Sequence, residues 1–173
     1  HDALLADFER ADIVVANPPW GIDLPESADA YRKAGFQLAS GQFDSYDLFV
    51  ERALAAIRPG GLVGFIIPDS ILLPEHERTR RLLLDETQLL SITRLGEGIF
   101  EGVYRGTVLI VARRSEAPPG ARVMCSRLRS EYRTSAVSET HSLSALLDSH
   151  WVPLDRLVES SHAEFDIDVR DGD

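Results

Sequence analysis

Apolar residues in this chain fall into short unbroken runs set between strong breakers. Ala11 to Ala16 carries Ile13-Val14-Val15 at its centre, the pattern of a buried strand. Asn17-Pro18-Pro19 ends that run, because proline lacks a ladder donor and restricts the residue before it. From Gly21 to Phe43 no period is visible. The stretch reads as a long loop with one short helix near Ser27 to Lys33, and loops of that length in compact domains often carry function. Leu48, Phe49, Ala53 and Ile57 then recur at helical spacing, which predicts a helix over Tyr46 to Arg58 with Ser45 as its N-cap. Pro59-Gly60-Gly61 is its expected stop. Leu62 to Ile67 reads as a second buried strand closed by Pro68, and Pro74 as the opening of a helix over Glu75 to Leu84. Gln88 to Leu95 reads as a strand, Gly96 to Arg105 as a loop and Thr107 to Ala112 as a strand. Glu116 to Gly120 is a turn and Ala121 to Cys125 an edge strand. A short helix is expected over Ser142 to Ser149, and the acidic stretch from Glu159 to Asp173 is expected to be poorly ordered.

Strands alternating with helices imply an α/β fold with a mostly parallel sheet. The last strand pair, joined by a short loop, adds an antiparallel strand at the end. A length of 173 residues with 44% hydrophobic content suits one domain with a real core.

Composition narrows the setting. The single cysteine, Cys125, allows no internal disulfide and fits a reducing, cytoplasmic location. No apolar run approaches the ~20 residues of a membrane span. The chain opens on His1 without a charged segment ahead of an apolar one, so no secretory signal is expected and further sequence upstream is. The net charge of -10 counts against a self-sufficient nucleic-acid binder, since phosphate neutralisation needs a basic footprint. Basic residues do gather locally, at Arg78, Arg80 and Arg81, at Arg113 and Arg114, and at Arg122, Arg127, Arg129 and Arg133. They read as solvated surface, so a DNA substrate would draw much of its phosphate grip from outside this chain.

Asn17-Pro18-Pro19-Trp20 carries the candidate chemistry. It follows a buried strand, where open α/β sheets place ligands. Two prolines stiffen the corner and hold Asn17 in one pose. The Asn17 side-chain oxygen and the Pro18 carbonyl then present two acceptors beside the flat indole of Trp20, a set suited to a planar group bearing an NH2. The alternative is a rigid turn with Asn17 capping the backbone and Trp20 in the core. His76, His141, His150 and His162 show no ligand spacing with Cys125, so no metal site is expected. Asp44 and Asp47 read as helix-capping groups.

Asp-Ile-Val-Val-Ala-Asn-Pro-Pro-Trp resembles the catalytic motif of amino-methyltransferases. Asp44 to Phe49, Ile57 to Gly61, Phe65 to Pro68, Leu95-Gly96-Glu97 with Phe100, and Thr107 to Ala112 are similar to successive blocks of the gamma-order adenine-N6 DNA methyltransferases of restriction-modification systems. His1 to Leu4 resembles the end of the preceding block. The resemblance covers residues 2 to 114 well and the rest weakly, with Trp151 to Ser160 similar to the entry to a target-recognition region.

The resemblance implies the C-terminal half of a Rossmann-like, S-adenosylmethionine-dependent methyltransferase fold. Residues 1–128 would be the catalytic half, and 129–173 a linker towards a target-recognition domain. It implies S-adenosyl-L-methionine as cofactor and double-stranded DNA as substrate, with restriction or specificity subunits or fused domains as partners. Asn17, Pro18, Pro19 and Trp20 take the catalytic position, and Trp20 and Phe100 the two faces of the flipped base, with Tyr104 competing for the second. Asp2 and Phe49 take the cofactor's adenine, although a terminal position and a core helix position explain them equally. Methylation of RNA or of a protein glutamine stays open as another substrate class, as does a catalytically silent scaffold subunit.

Overall fold

A computed structural model describes residues 2–100, 102, 104–129 and 143–168. Arg133, His141, Ser142 and the end of the acidic stretch after Asp168 lie outside the described residues. The strands are β1 (Ala11–Ala16), β2 (Ile57–Pro68), β3 (Gln88–Gly96), β4 (Thr107–Arg113), β5 (Arg122–Leu128) and β6 (Leu147–Pro153). The helices are α1 (Ala28–Lys33), α2 (Ser45–Ala56), α3 (Glu77–Glu86), α4 (Leu143–Leu146) and α5 (Leu154–Glu159), with 3-10 turns at Asp69–Leu72 and Pro74–His76.

The strands form one six-stranded sheet in the order β1-β2-β4-β3-β5-β6. Its pairings set β1, β2, β3 and β5 in one direction and β4 and β6 in the other. The fold is thus α/β with a mixed, mostly parallel sheet, and β6 is the antiparallel end strand. β4 is antiparallel as well, but it is inserted between β2 and β3 rather than added at an edge. A short loop after β3 forces that reversal.

The stretch expected to be an edge strand at Ala121 to Cys125 is instead β5, paired on both sides by β3 and β6. Residues 147–153, read from sequence as helix end and linker, form β6 along the full length of β5. Val152, Leu154, Leu157, Phe165 and Ile167 are buried in the main core, so this stretch belongs to the sheet and its cover. The polar residues between those apolar ones had masked their spacing.

Helix α2 begins one residue before its expected start. Asp44, not Ser45, is the N-cap, and Asp44 and Asp47 form a capping box in which each side chain serves the other's backbone. Ser45 is already helical and buried. Pro59-Gly60-Gly61 does not stop the helix in a separate turn. The chain passes from α2 into β2 at Ile57, and the three residues swell out of the strand, shifting the register from Ala11↔Ile57 to Ile13↔Leu62. Gly61 is required there, because a Cβ would sit 2.7 Å from the Asp12 carbonyl oxygen and 2.8 Å from Ile57.

Two apolar clusters result. The main one includes Val63, Phe65 and Ile67 of β2 with Ile92, Val108, Ile110 and Val123. The smaller one, Leu4, Tyr31, Phe36, Leu38, Ala39 and Leu48, gives the 21–43 loop an anchor of its own. Arg80, expected on the solvated surface with its basic neighbours, is completely buried. Its guanidinium donates to the carbonyl oxygens of Ala163 at 2.8 Å, Ile71 at 2.6 Å, Leu73 at 2.5 Å and His162 at 2.9 Å. These bonds replace its water shell, and burial lowers its pKa first of all. No described helix is long and apolar enough to cross a membrane.

Candidate active site

β1 ends at Ala16 on the carboxyl edge of the sheet, and Asn17-Pro18-Pro19-Trp20 turns away from it. Pro18 is buried and fixes the corner, while Asn17 is exposed. An open cleft of about 390 Å³ is lined by Asn17, Pro18, Pro19, Trp20 and Phe100. Neither the Asn17 carboxamide nor the Pro18 carbonyl has a hydrogen bond among the described residues. The turn therefore sets two acceptors in or beside an accessible cleft, and the carboxamide does not cap the backbone. Trp20 packs partly against the main core, and its Nε1–H is buried without a partner among the described residues.

The far side of the corner is braced. Ser45 Oγ donates to the Pro19 carbonyl oxygen at 2.9 Å, and Asp44 Oδ1 accepts the Gly21 N–H at 2.8 Å. The N-terminus of α2 thus clamps the motif from Pro19 to Gly21. Ser45 was read as a cap from sequence. Its place directly before an apolar helix face was the visible signal, but its partner 26 residues upstream was not.

Trp20 and Phe100 come together as expected, though not as parallel plates. Their ring centroids are 6.1 Å apart and their planes cross at 72°, an ordinary edge-to-face contact. A base held between parallel rings needs roughly 7 Å, twice the 3.4 Å repeat of stacked bases. In this arrangement the edge of Phe100 takes up part of that space. Tyr104 is 90% exposed and clear of the pair.

Asp2 and Phe49 do not line this cleft. The Asp2 carboxylate accepts the Tyr31 hydroxyl at 2.5 Å and the Leu4 N–H at 2.9 Å. Burial, followed by that bond to Asp2, pushes the Tyr31 phenol up to about 12. Phe49 packs against the same small cluster that holds Tyr31 and Leu4, so the two residues flank one apolar wall.

A second cleft of about 370 Å³ is lined by Asp69, Arg94, Gly96, Glu97, Arg127 and Leu128. Its arginines are already neutralised, Arg94 by Asp69 at 3.0 Å and Arg127 by Asp168. Asp47 accepts from the Asp44 N–H and the Thr79 hydroxyl and meets His76 Nδ1 at 3.0 Å, so it acts as a structural hub. No group of three or more His, Cys, Asp or Glu among the described residues is arranged to hold a metal.

Comparison with known proteins adds to this geometry. The family model of the Eco57I restriction-modification methylase matches residues 5–100. The chain is 30% identical over 86 residues to the type II restriction enzyme and methyltransferase RM.Eco57I of Escherichia coli, covering 46% of this chain and 8% of that protein. Among solved structures, a chain of a type I restriction-modification system overlays with a TM-score of 0.63 and 20% identity, covering 95% of this chain and 38% of that one. A Listeria monocytogenes protein described as a class I S-adenosylmethionine-dependent methyltransferase overlays with a TM-score of 0.53 and 20% identity, covering 65% of this chain and 35% of that one. These overlays show a shared fold. The matched stretch covers 8% to 29% of the curated relatives, under a third of the length of each.

Proposed function

The chain belongs to the Eco57I restriction-modification methylase family, and on that premise we propose that it carries the target-base half of an S-adenosylmethionine-dependent methyltransferase acting on the N6 amino group of adenine in DNA. One observation carries the reading. An exposed carboxamide and a free carbonyl stand at the end of β1, at a cleft walled by an indole and a phenyl ring.

The chemistry asked of these groups is limited. An adenine amino nitrogen is a weak nucleophile because its lone pair is delocalised into the ring. Asn17 Oδ1 and the Pro18 carbonyl accept its two hydrogens, which favours a pyramidal nitrogen and stabilises the positive charge that develops there. The diproline corner and the Ser45 brace hold both acceptors in place before the base arrives. Such alignment is worth up to roughly 7–11 kcal/mol in well-oriented systems. The base reaches the cleft only after leaving the duplex stack. Phe100 gives way at that step, and Trp20 takes one face of the base.

Asp2 and Phe49 fit the adenine end of the cofactor, because a carboxylate with unused lone pairs beside an apolar wall suits a planar ring with an amino group. S-adenosylmethionine, when bound, supplies an electrophilic methyl group. The chain spans under a third of the length of each of those curated relatives, and on this reading the rest of the cofactor surface, the target-recognition region and most of the phosphate grip would come from fused domains or partner subunits.

The test is tritium-methyl transfer to unmethylated DNA by the polypeptide carrying this chain, followed by nucleoside analysis. Label in N6-methyladenine, lost in Asn17→Ala while cofactor binding survives, supports the reading. Label confined to RNA or protein, or an Asn17→Ala variant working at the parental rate, refutes it.

A further inference from the structure

We propose that Arg105 is a binding residue for the backbone phosphate beside the nucleotide held in the Asn17–Trp20 cleft. The proposal rests on the reading of that cleft as a base pocket, and adds the anionic half of the nucleotide to it. The Arg105 guanidinium turns its Nη1/Nη2 edge towards Gly21, the residue after Trp20. Its Nη1, Nη2 and Cζ are 3.4, 3.7 and 3.9 Å from where a Cβ on Gly21 would stand. Gly21 has a φ of +59° and no side chain, so nothing stands between the guanidinium and the motif backbone.

In an acidic chain most arginines near carboxylates are claimed by them. Arg94 is paired with Asp69, Arg127 with Asp168, Arg81 with Glu77 and Arg58 with Asp12. Arg105 is exposed and has no hydrogen bond or ion pair among the described residues. Arg10, Arg113, Arg129 and Arg156 also show no side-chain partner among the described residues, so what distinguishes Arg105 is its place against Gly21. The nearby Asp44 carboxylate already accepts the Gly21 N–H and the Tyr46 N–H. A fork of free N–H donors therefore stands one residue from the cleft's indole.

The chemistry of the occupant follows. A base entering the cleft brings a phosphodiester on each side of its sugar, within the reach of one nucleotide. Guanidinium matches phosphate geometry with two parallel hydrogen bonds, which an ammonium cannot do. A cation at this point also answers the charge problem of the chain locally, at one of the two phosphates that flank the extruded nucleotide.

Fluorescence anisotropy with a short single-stranded oligothymidylate containing one adenine tests the assignment, across a KCl series, on the polypeptide carrying this chain and its Arg105→Gln and Arg105→Lys variants. The expected result for Arg105→Gln is weaker binding, with a log–log salt slope shallower by about 0.7, the contribution of one single-strand phosphate. Arg105→Lys keeps the slope but binds more weakly. A neutral methylphosphonate at the linkage next to the adenine should reproduce the slope loss in the parent and add nothing in Arg105→Gln. Equal slopes for parent and Arg105→Gln, no oligonucleotide binding by the parent, or a methylphosphonate effect that persists in Arg105→Gln overturn the proposal. An oligonucleotide with an abasic site in place of the adenine separates the two readings. If it binds the parent as well as the adenine form while Arg105→Gln still loses slope, the phosphate contact stands and the base pocket fails. If adenine is preferred but Arg105→Gln leaves the slope intact, the pocket stands and the phosphate contact fails.

Discussion

The Ser45 hydroxyl donates to the Pro19 carbonyl oxygen at 2.9 Å, tying the first turn of α2 to the corner that follows β1. Ser45 is 4% exposed, so its loss removes a donor that the Pro19 carbonyl can replace only with water from the cleft. Ser45→Ala is expected to cost about 1 kcal/mol in urea unfolding. It should also slow methyl transfer without altering cofactor affinity, while Ser45→Thr should recover part of both. Unchanged stability and rate in Ser45→Ala would show that the prolines alone hold the corner.

The edge-to-face contact of Trp20 with Phe100 makes a prediction about each ring. Trp20→Ala should weaken capture of the extruded base by about 1–3 kcal/mol, the usual worth of base–aromatic stacking, which is roughly 5- to 150-fold. Trp20→Phe should keep much of the transfer rate. If Phe serves no better than Ala, the indole is core packing. Phe100→Ala should leave base entry less hindered but the bound base less confined, seen as faster association and much faster release in stopped-flow measurements.

Arg80 is completely buried and donates to four carbonyl oxygens, two of them in the 162–163 segment. No carboxylate lies within ion-pair distance of it among the described residues. Arg80→Ala removes those donors and opens a void, so a loss of about 3–5 kcal/mol is expected. The release should be local first. Hydrogen exchange of residues 161–167 should quicken more than that of β2 or β4, and uniform quickening would count against this role.

Alkaline stability should carry the mark of three buried acids, Cys125, Tyr31 and Tyr46, the last pushed up by burial first of all. Burial, with a smaller push from Asp166 and Asp168, moves the Cys125 thiol up to about 11, and burial with the Asp2 bond moves Tyr31 up to about 12. In each case the folded chain keeps a proton that the unfolded chain has already released. Stability from these groups is therefore fully present below the unfolded values, near 8.5 for a thiol and 10 for a phenol, and is lost as pH rises through the folded ones. Urea midpoints should be flat from pH 7 to 8 and then fall from about pH 9 towards 11. Cys125→Ala should delay the onset of the fall until the two tyrosines begin to titrate. The native thiol should also resist alkylation at pH 8.

Gly61 is a structural hinge point with a consequence for the site. A methyl group there would press on the Asp12 backbone of β1 at 2.7 Å. Gly61→Ala is expected to cost about 1–3 kcal/mol by overpacking. It should also lower transfer activity, because β1 carries Asn17. Loss of stability with an unaffected catalytic rate would uncouple the two.

Much of this was legible in the residues. Ile13-Val14-Val15 ended by Asn17-Pro18-Pro19 announced β1 as a strand and the corner after it, because strand and breaker are local properties. The helical spacing from Leu48 to Ile57 gave α2 in the same way. The expected burial of β1 fails: no residue of it is buried, since burial depends on neighbours that the apolar run does not specify. What local pattern could not give were pairings between distant residues. Asp44 took the cap from Ser45 because Asp47 completed the box, freeing Ser45 to reach Pro19. Arg80 looked like its solvated neighbours until four carbonyls from two separate segments enclosed it. β6 was hidden because Asp148, Ser149 and His150 interrupt its apolar pattern, and only the β5 ladder makes it a strand. The cleft residues were named from one motif and one loop aromatic, but the crossed angle of the two rings was not available from their identities.

Among the described residues β1 pairs with β2 alone, and Ile13 is 65% and Val15 79% exposed. The strand from which the acceptor corner hangs is therefore held by half a ladder, and its free rim resembles an unfinished seam. A polypeptide laid along that rim would pair its open backbone groups and stiffen Asn17 without touching it.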